Sequence, residues 1–128
     1  MKRETIRPSG VMSSPNLTPA IKVGATIYVS GQVAMDANGE VGGRGRLRRA
    51  GRAGVSVAGT GAHGGGASLG NVVKATNSLV DAAHFPSFGA MRRRFFPDDP
   101  PASTTVVVKE LALPELLVEI EAVAVLSS

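Results

Sequence analysis

The sequence predicts a small α+β domain, spanning residues 1–128, in which a short helix packs on a β-sheet. Three observations favour this fold class. Strand-like runs rich in β-branched residues lie toward both ends of the chain, an amphipathic helix separates two of them, and 43% of the residues are apolar, which is enough for one core at this length. The two flanks, residues 17–41 and 67–126, carry this pattern, whereas residues 42–66 do not.

The N-terminal third of the chain predicts a β-meander. The run Lys2–Ile6 forms a short edge strand, and the two prolines of Pro15–Pro19 indicate irregular chain, because proline removes a backbone donor and restricts its neighbour. A strand follows over Ala25–Gln32, since Ile27 to Val29 are β-branched or aromatic. The Asn-Gly pair inside residues 33–41 then favours a hairpin.

The C-terminal half predicts the order strand, helix, strand, strand. A strand ends at Asp81, and Phe85–Phe96 has helical apolar spacing with a proline suited to the first turn. Two prolines at 100 and 101 break the chain. The uninterrupted β-branched run Thr104–Val108 is typical of a strand buried on both faces, and Leu116–Leu126 is the final strand.

The formal charge of +4 has a local origin. Residues 42–66 contain five arginines, no acidic residue and ten of the sixteen glycines, and outside them nine basic residues balance ten acidic ones. A nucleic-acid-binding surface would instead spread basic and aromatic residues over folded elements. The remaining basic cluster, Arg92 to Arg94, is interpreted as a solvated helix face. We therefore expect no nucleic-acid partner.

Several other classes of protein and site are not expected. The chain has no cysteine, no apolar leader and no apolar run of the length that crosses a bilayer, so the sequence predicts a cytoplasmic protein without a membrane partner. His63 and His84 each lack a second ligand at metal spacing, so no metal is expected. The glycines at 64–66 lack the Lys-Ser/Thr of a phosphate loop.

An ordered set of short motifs resembles the RidA family (reactive intermediate deaminase), also called the YjgF or L-PSP endoribonuclease family. Each motif alone is weak, but their order along the chain is specific. The motifs are Leu-Thr-Pro-Ala-Ile-Lys-Val-Gly at 17–24, Ile-Tyr-Val-Ser-Gly-Gln-Val at 27–33, Gly-Ala-Ser-Leu at 66–69, Val-Val-Lys-Ala-Thr at 72–76, Arg-Phe-Phe-Pro at 94–97, Pro-Pro-Ala-Ser-Thr-Thr-Val at 100–106 and Val-Glu-Ile-Glu-Ala at 118–122.

The resemblance implies a chorismate-mutase-like fold, with helices on one face of a mixed sheet. It further implies a homotrimer with ligand clefts at the subunit interfaces, and hydrolysis of small enamines and imines to a 2-oxo acid and ammonia without a cofactor. Some relatives have been described as ribonucleases or translation inhibitors. We therefore expect a RidA-like hydrolase; the alternatives are a non-catalytic trimer that binds a small metabolite or a protein and, third, an endoribonuclease.

The resemblance also implies the site residues. Glu119 matches a water-orienting glutamate, and the backbone of Gly31 and Thr105 lies beside the cleft. Glu119 and Glu121 are two residues apart on a strand, so their side chains share one face of the sheet. Ser103 stands where the family has an arginine that binds the substrate carboxylate, and a hydroxyl does not replace that charge. Thr104 and Tyr28 complete the expected substrate contacts. Each residue also has a structural interpretation: a solvated edge for the glutamate, cross-strand bonds for the hydroxyls and sheet packing for the tyrosine.

Residues 42–66 replace a long helix that the family has between the hairpin and the Gly-Ala-Ser-Leu motif. Ten glycines are incompatible with a stable isolated helix. A GC-rich gene read one base out of frame would convert a helix of the Asp-Phe-Ala-Ala-Gln type into the residues written at 46–55. We interpret the stretch as such a frame shift; the alternative is a genuine flexible Gly/Arg loop.

Overall fold

The computed structural model describes residues 1–34, 38, 40, 42 and 63–127. Within them, six strands form one mixed sheet in the order β1-β2-β3-β6-β4-β5. Neighbouring strands are antiparallel except for β4 and β5, which are parallel and joined through helix α1. The elements are β1 (Arg3–Ile6), β2 (Ala20–Val23), β3 (Thr26–Gln32), β4 (Val72–Leu79), α1 (Phe85–Phe95), β5 (Ala102–Val107) and β6 (Val118–Val125), with short 3₁₀ turns at Leu69–Asn71 and Ala82–His84.

The first three strands form the predicted meander, with one strand more than the sequence analysis assigned. Strand β2 joins β3 through a two-residue turn in which Gly24 has a φ of +60°, a conformation that favours glycine. After β3, the backbone N–H of Gly42 donates to the carbonyl of Ala34 at 2.8 Å, which connects the two sides of the predicted hairpin. The turn of that hairpin lies outside the described residues.

The core lies on the helix side of the sheet. Strand β6 alternates regularly, with Val118 and Ile120 buried beneath Phe88 and Met91 of α1, while Glu119 and Glu121 point to the opposite face. A second apolar cluster continues this face across β3, β4 and β6 and contains Ala20, Ile27, Val29, Ala67, Val72, Ala122 and Ala124. The fold is therefore α+β, with helix α1 packed on one face of a mixed sheet, as predicted.

The prediction that residues 104–108 form a strand buried on both faces is wrong. Strand β5 spans Ala102–Val107 and lies at the edge of the sheet, where all of its residues except the half-buried Thr105 are exposed. The β-branched run identified a strand correctly, but such a run does not distinguish a central strand from an edge strand whose apolar residues face outward.

The aberrant stretch 42–66 joins the fold at its C-terminal end. Gly65 is buried, and a Cβ atom there would lie 2.6 Å from Cδ1 of Ile27 and 2.9 Å from Cδ1 of Ile6. The backbone therefore lies directly against β1 and β3. The two interpretations of this stretch, a frame shift and a flexible loop, concern residues that lie largely outside the described part of the chain, so both stay predictions. The assignment of residues 1–128 to a single domain also stays a prediction.

Candidate functional site

Glu119 lies against a β-bulge on the sheet face opposite α1. Strands β3 and β6 change register between Val29 and Gln32, so Ser30 and Gly31 form the irregular part of β3. A Cβ atom on Gly31 would lie 2.8 Å from Cδ and 2.9 Å from Oε1 of Glu119. The Glu119 carboxyl group thus occupies the space that a side chain at position 31 would take.

A small polar cavity surrounds this carboxyl group. It has a volume of about 130 Å³ and is lined by Gly31, Thr76, Ser78, Glu119 and Glu121. The two glutamates share a face because they are two residues apart on β6, as the sequence predicted, and the hydroxyls come from β4 opposite them. The cavity can therefore hold water between carboxylate acceptors and hydroxyl donors.

Two further predicted residues lie on the same face. Tyr28 pairs with Val123 across β3 and β6, and 53% of its surface is exposed, so sheet packing does not bury it. Thr104 lies on the edge strand β5 next to Thr76, and its hydroxyl accepts a hydrogen bond from Lys74 Nζ at 2.9 Å. Both side chains remain accessible to a ligand on this face.

Ser103 and Thr105 lie on the other face of the sheet, the face on which helix α1 packs. Ser103 pairs with Ala75 of β4, and the amide of the buried Asn77 donates to the Ser103 hydroxyl at 3.0 Å and to the Thr105 hydroxyl at 3.3 Å. From α1, Arg92 Nη1 donates to Ser103 Oγ at 2.9 Å. A guanidinium group is thus present beside Ser103, but it comes from the helix.

The predicted site residues therefore fall into two groups within one chain. Gly31, Tyr28, Thr104 and Glu119 face away from the helix, and Ser103 and Thr105 face toward it. Glu119 is also two strands away from β5, which corresponds to about 10 Å at the usual strand spacing. A small substrate cannot contact both groups in a single copy of the chain.

The sequence analysis missed Arg92, Asn77 and Lys74. Arg92 was interpreted as part of a solvated face, which holds for the exposed Arg93 and Arg94. Helical spacing contained a usable signal, since Arg92 lies four residues after the buried Phe88 and its guanidinium lies 5.7 Å from that ring's centre. The alternation of β4 likewise marks Asn77 as inward-facing, between Ala75 and Leu79.

The residues that the structure describes contain no cluster of side chains that could bind a metal ion. Among residues 1–34 and 63–127, no three His, Asp or Glu side chains come close enough to hold an ion. Within the same residues, no helix has the length and apolarity needed to cross a membrane. The chemistry of the candidate site rests on carboxylates, hydroxyls, amides and one guanidinium group.

Comparison with known proteins gives consistent matches along the chain. A family model described as endoribonuclease L-PSP matches residues 11–126. Among solved structures, RidA from the Antarctic bacterium Psychrobacter sp. is 26% identical, with a TM-score of 0.87 over 96% of this chain and 99% of that one. The YjgF gene product of E. coli is 25% identical, with a TM-score of 0.86 over 95% and 98% of the two chains. A Thermotoga maritima protein is 29% identical, with a TM-score of 0.89 and full coverage of both.

Proposed function

Because this chain belongs to the endoribonuclease L-PSP family, which includes RidA and YjgF, we propose that it hydrolyses small enamine and imine metabolites without a cofactor. The observation that carries the proposal is the Glu119 carboxyl group held over Gly31 in a polar cavity. A deaminase of this kind needs one water molecule, a group that orients it and a place for the imine. The cavity has room for the water molecule, and Glu119 and the hydroxyls around it can orient it.

The proposed reaction adds water across a C=N bond. Glu119 accepts a proton from the water as its oxygen attacks the imine carbon and returns that proton to the nitrogen, which gives a carbinolamine. It then accepts the proton of the new hydroxyl group and passes it to the nitrogen as the C–N bond breaks, so that the carbonyl group forms and the nitrogen leaves as ammonia. The products are a carbonyl compound and ammonia, so that no oxidant or reductant is consumed. Thr76 and Ser78 orient the water from the opposite side of the cavity.

Assembly as a homotrimer belongs to the same proposal. The two groups of site residues face opposite sides of the sheet, so they meet around one substrate only if the edge strand β5 of one copy lies against β3 and β6 of another. The exposure of β5 and of apolar side chains on the sheet face opposite α1, such as Tyr28 and Val106, favours such a contact. The substrate cleft then lies at the subunit interface.

The test is ammonia release from 2-iminobutanoate generated in situ. The wild-type chain should accelerate hydrolysis, and Glu119→Gln should lower the rate by about 100-fold or more, because the amide cannot accept a proton. Glu110→Gln is the matched control, since Glu110 is exposed in the loop after β5. A Glu119→Gln variant as active as wild type would refute the proposed role of this carboxylate.

The second candidate is a non-catalytic module that binds a metabolite or a protein in the same cleft. The wild-type chain would then bind a 2-oxo acid without accelerating imine hydrolysis. An endoribonuclease is the third candidate and is less favoured, because Glu119 and Glu121 make the cavity acidic and would repel a phosphate backbone. Action on soluble metabolites agrees with the cytoplasmic location proposed from the sequence.

A further inference from the structure

A second cavity lies where helix α1 ends, on the side of the sheet that carries the helix. Its volume is about 280 Å³, against about 130 Å³ for the cavity around Glu119, and the two cavities share no lining residue. One side is formed by the 3₁₀ turn Leu69–Asn71 and the start of β4, and the other by the last turn of α1 and the residues that follow it. Small-molecule sites begin at roughly 300 Å³, so this cavity is close to the size that a ligand needs.

The walls of this second cavity are mainly apolar and aromatic. Leu69 and Phe96 are half-buried and pack against the core cluster that contains Val72. Phe95 and Pro97 complete the apolar lining. Leu69, Val72 and Phe96 also line a narrower apolar gap between α1 and the sheet. The apolar wall is therefore continuous with the interior of the protein, and the cavity can take an apolar group.

The solvent side of the second cavity carries negative charge. Asp98 and Asp99 both line the cavity and are exposed, and among the described residues neither side chain has an ion pair or a hydrogen bond. The C-terminal end of α1, which carries a partial negative charge, lies beside them. Pro97 has no backbone N–H, so it cannot donate to the last turn of the helix. Arg93 and Arg94 of that turn are exposed and do not line the cavity.

We infer that the second cavity binds a small organic ammonium ion, that is, a protonated amine with an apolar or aromatic body. An ammonium group only donates, which suits the carboxylates of Asp98 and Asp99 and the open carbonyls at the helix end. The body of the amine packs against Phe95 and Phe96, whose rings also attract a cation. Arg92 lines the gap beneath α1, so the positive charge stays at the aspartates and only the apolar part points inward.

The lining selects this class of ligand over the alternatives. Two aspartates repel an organic anion, and an inorganic cation gains little from apolar walls. A neutral apolar molecule leaves the charge of the carboxylates unused. The inference is independent of the proposed hydrolase, because the second cavity and the Glu119 cavity have no residue in common.

The test is titration of the intact protein with phenethylamine, which is protonated at neutral pH, followed by NMR shifts of the Gly70 and Asp98 amides. 2-Phenylethanol is the neutral probe of the same shape, and ethylamine is a cation without the ring. The amine should bind about 3- to 10-fold more tightly than the alcohol, a modest factor because the aspartates are exposed. Ethylamine should bind most weakly, and high salt should remove most of the difference between phenethylamine and the alcohol.

The charged half of the site is tested by the double substitution Asp98→Asn and Asp99→Asn. It should lower the affinity for phenethylamine to about that for the alcohol. Asparagine suits position 99, where φ is +44°, because it adopts this left-handed conformation as aspartate does. Glu110→Gln is the matched control, since it removes an exposed carboxylate outside the cavity, and it should leave the affinity unchanged.

The apolar half is tested by Gly70→Leu. A Cβ atom at Gly70 meets only Ser68 Oγ, at 3.6 Å, so the added side chain fits without overlap and fills part of the cavity. It should weaken binding of phenethylamine and of the alcohol by about tenfold or more with little change in the thermal midpoint. Glu119→Gln should bind the amine as wild type does, whether or not the chain hydrolyses imines.

Three results would overturn the inference. The first is equal binding of phenethylamine and 2-phenylethanol to the wild-type chain at low salt. The second is a double asparagine variant that binds the amine as wild type does, and the third is a Gly70→Leu variant with unchanged affinity for both probes.

Discussion

At Gly31, the lack of a side chain determines where the Glu119 carboxyl group lies. The Cβ atom of an alanine would come within 2.8 Å of that group, and the flexible end of the glutamate is the part that can move. We expect Gly31→Ala to lower imine hydrolysis by about tenfold or more while the free energy of unfolding changes by less than about 1 kcal/mol. Steady-state rates and urea denaturation of the same preparation check both halves of this expectation.

A loss of stability without a loss of activity in Gly31→Ala would contradict this role for Gly31. A variant that unfolds easily but retains its rate per folded molecule would mean that the glycine serves the β-bulge and not the carboxylate. Ser30→Ala provides a useful comparison, because the Ser30 hydroxyl donates to the Thr18 carbonyl at 2.6 Å and holds the preceding loop. That variant should lose stability more than activity.

At the scale of single residues, the sequence predicted which side chains could take part in the site better than it predicted where those side chains lie. The spacing of Glu119 and Glu121 placed both on one face, and the structure confirms that placement. The location of Ser103 on the opposite face followed only from the register between β4 and β5, which no local pattern contains. The contact between Ser103 and Arg92 joins residues eleven positions apart on different elements, so helical spacing alone could not have identified it.

At the scale of elements, helix α1 contains a glycine that the packing does not require. A Cβ atom on Gly89 would meet nothing within 4 Å, and its φ is not positive. We expect Gly89→Ala to stabilise the protein by about 0.5–1 kcal/mol, because alanine loses less backbone entropy in a helix. Chemical denaturation with an unchanged m-value would verify this, and a loss of stability would show that the space beside Gly89 cannot accommodate a methyl group.

At Gly65, in contrast to Gly89, the packing leaves no room for a side chain. Its Cβ would overlap the side chains of Ile27 and Ile6, and Ile27 is fully buried, so neither the backbone nor that side chain has room to move. We expect Gly65→Ala to destabilise the protein by about 1–3 kcal/mol through overpacking. An alanine variant as stable as wild type would mean that this end of the stretch 42–66 does not pack against β1 and β3.

The elements themselves were largely predictable, since the boundaries of α1 and β6 follow from their periodicity. Strand β2 was missed because four residues that include alanine and lysine give little β-propensity, and its pairing depends on the turn at Gly24. The environment of β5 was also predicted wrongly, because burial depends on which strands lie alongside. Position in the sheet is a property of the whole topology and not of the local sequence.

At the scale of the whole molecule, the exposed edge strand β5 and the sheet face opposite α1 predict self-association. Val106 is 41% exposed on β5 and Tyr28 is 53% exposed on β3, both on the face that carries Glu119. We expect sedimentation equilibrium at micromolar concentration to give the mass of a trimer. Val106→Glu should shift the protein toward monomer, because burial of an unpaired charge at an interface is costly.

Ala112→Glu is the control for this association, since it adds the same charge at an exposed position in the loop between β5 and β6. It should leave the trimer intact. A stable wild-type monomer, or a Val106→Glu variant that still sediments as a trimer, would mean that β5 does not form the contact between subunits.

The central claim is that Glu119 of one copy and Ser103 of another act on the same substrate. The most direct measurement is imine hydrolysis by mixed oligomers, formed by refolding Glu119→Gln and Ser103→Asp chains together in equal amounts. Each variant alone should be inactive. In a symmetric ring with random assortment, about one interface in four would combine an intact Glu119 with an intact Ser103, so the mixture should recover about a quarter of the wild-type activity. A mixture that remains as inactive as its parents would contradict a site shared between subunits.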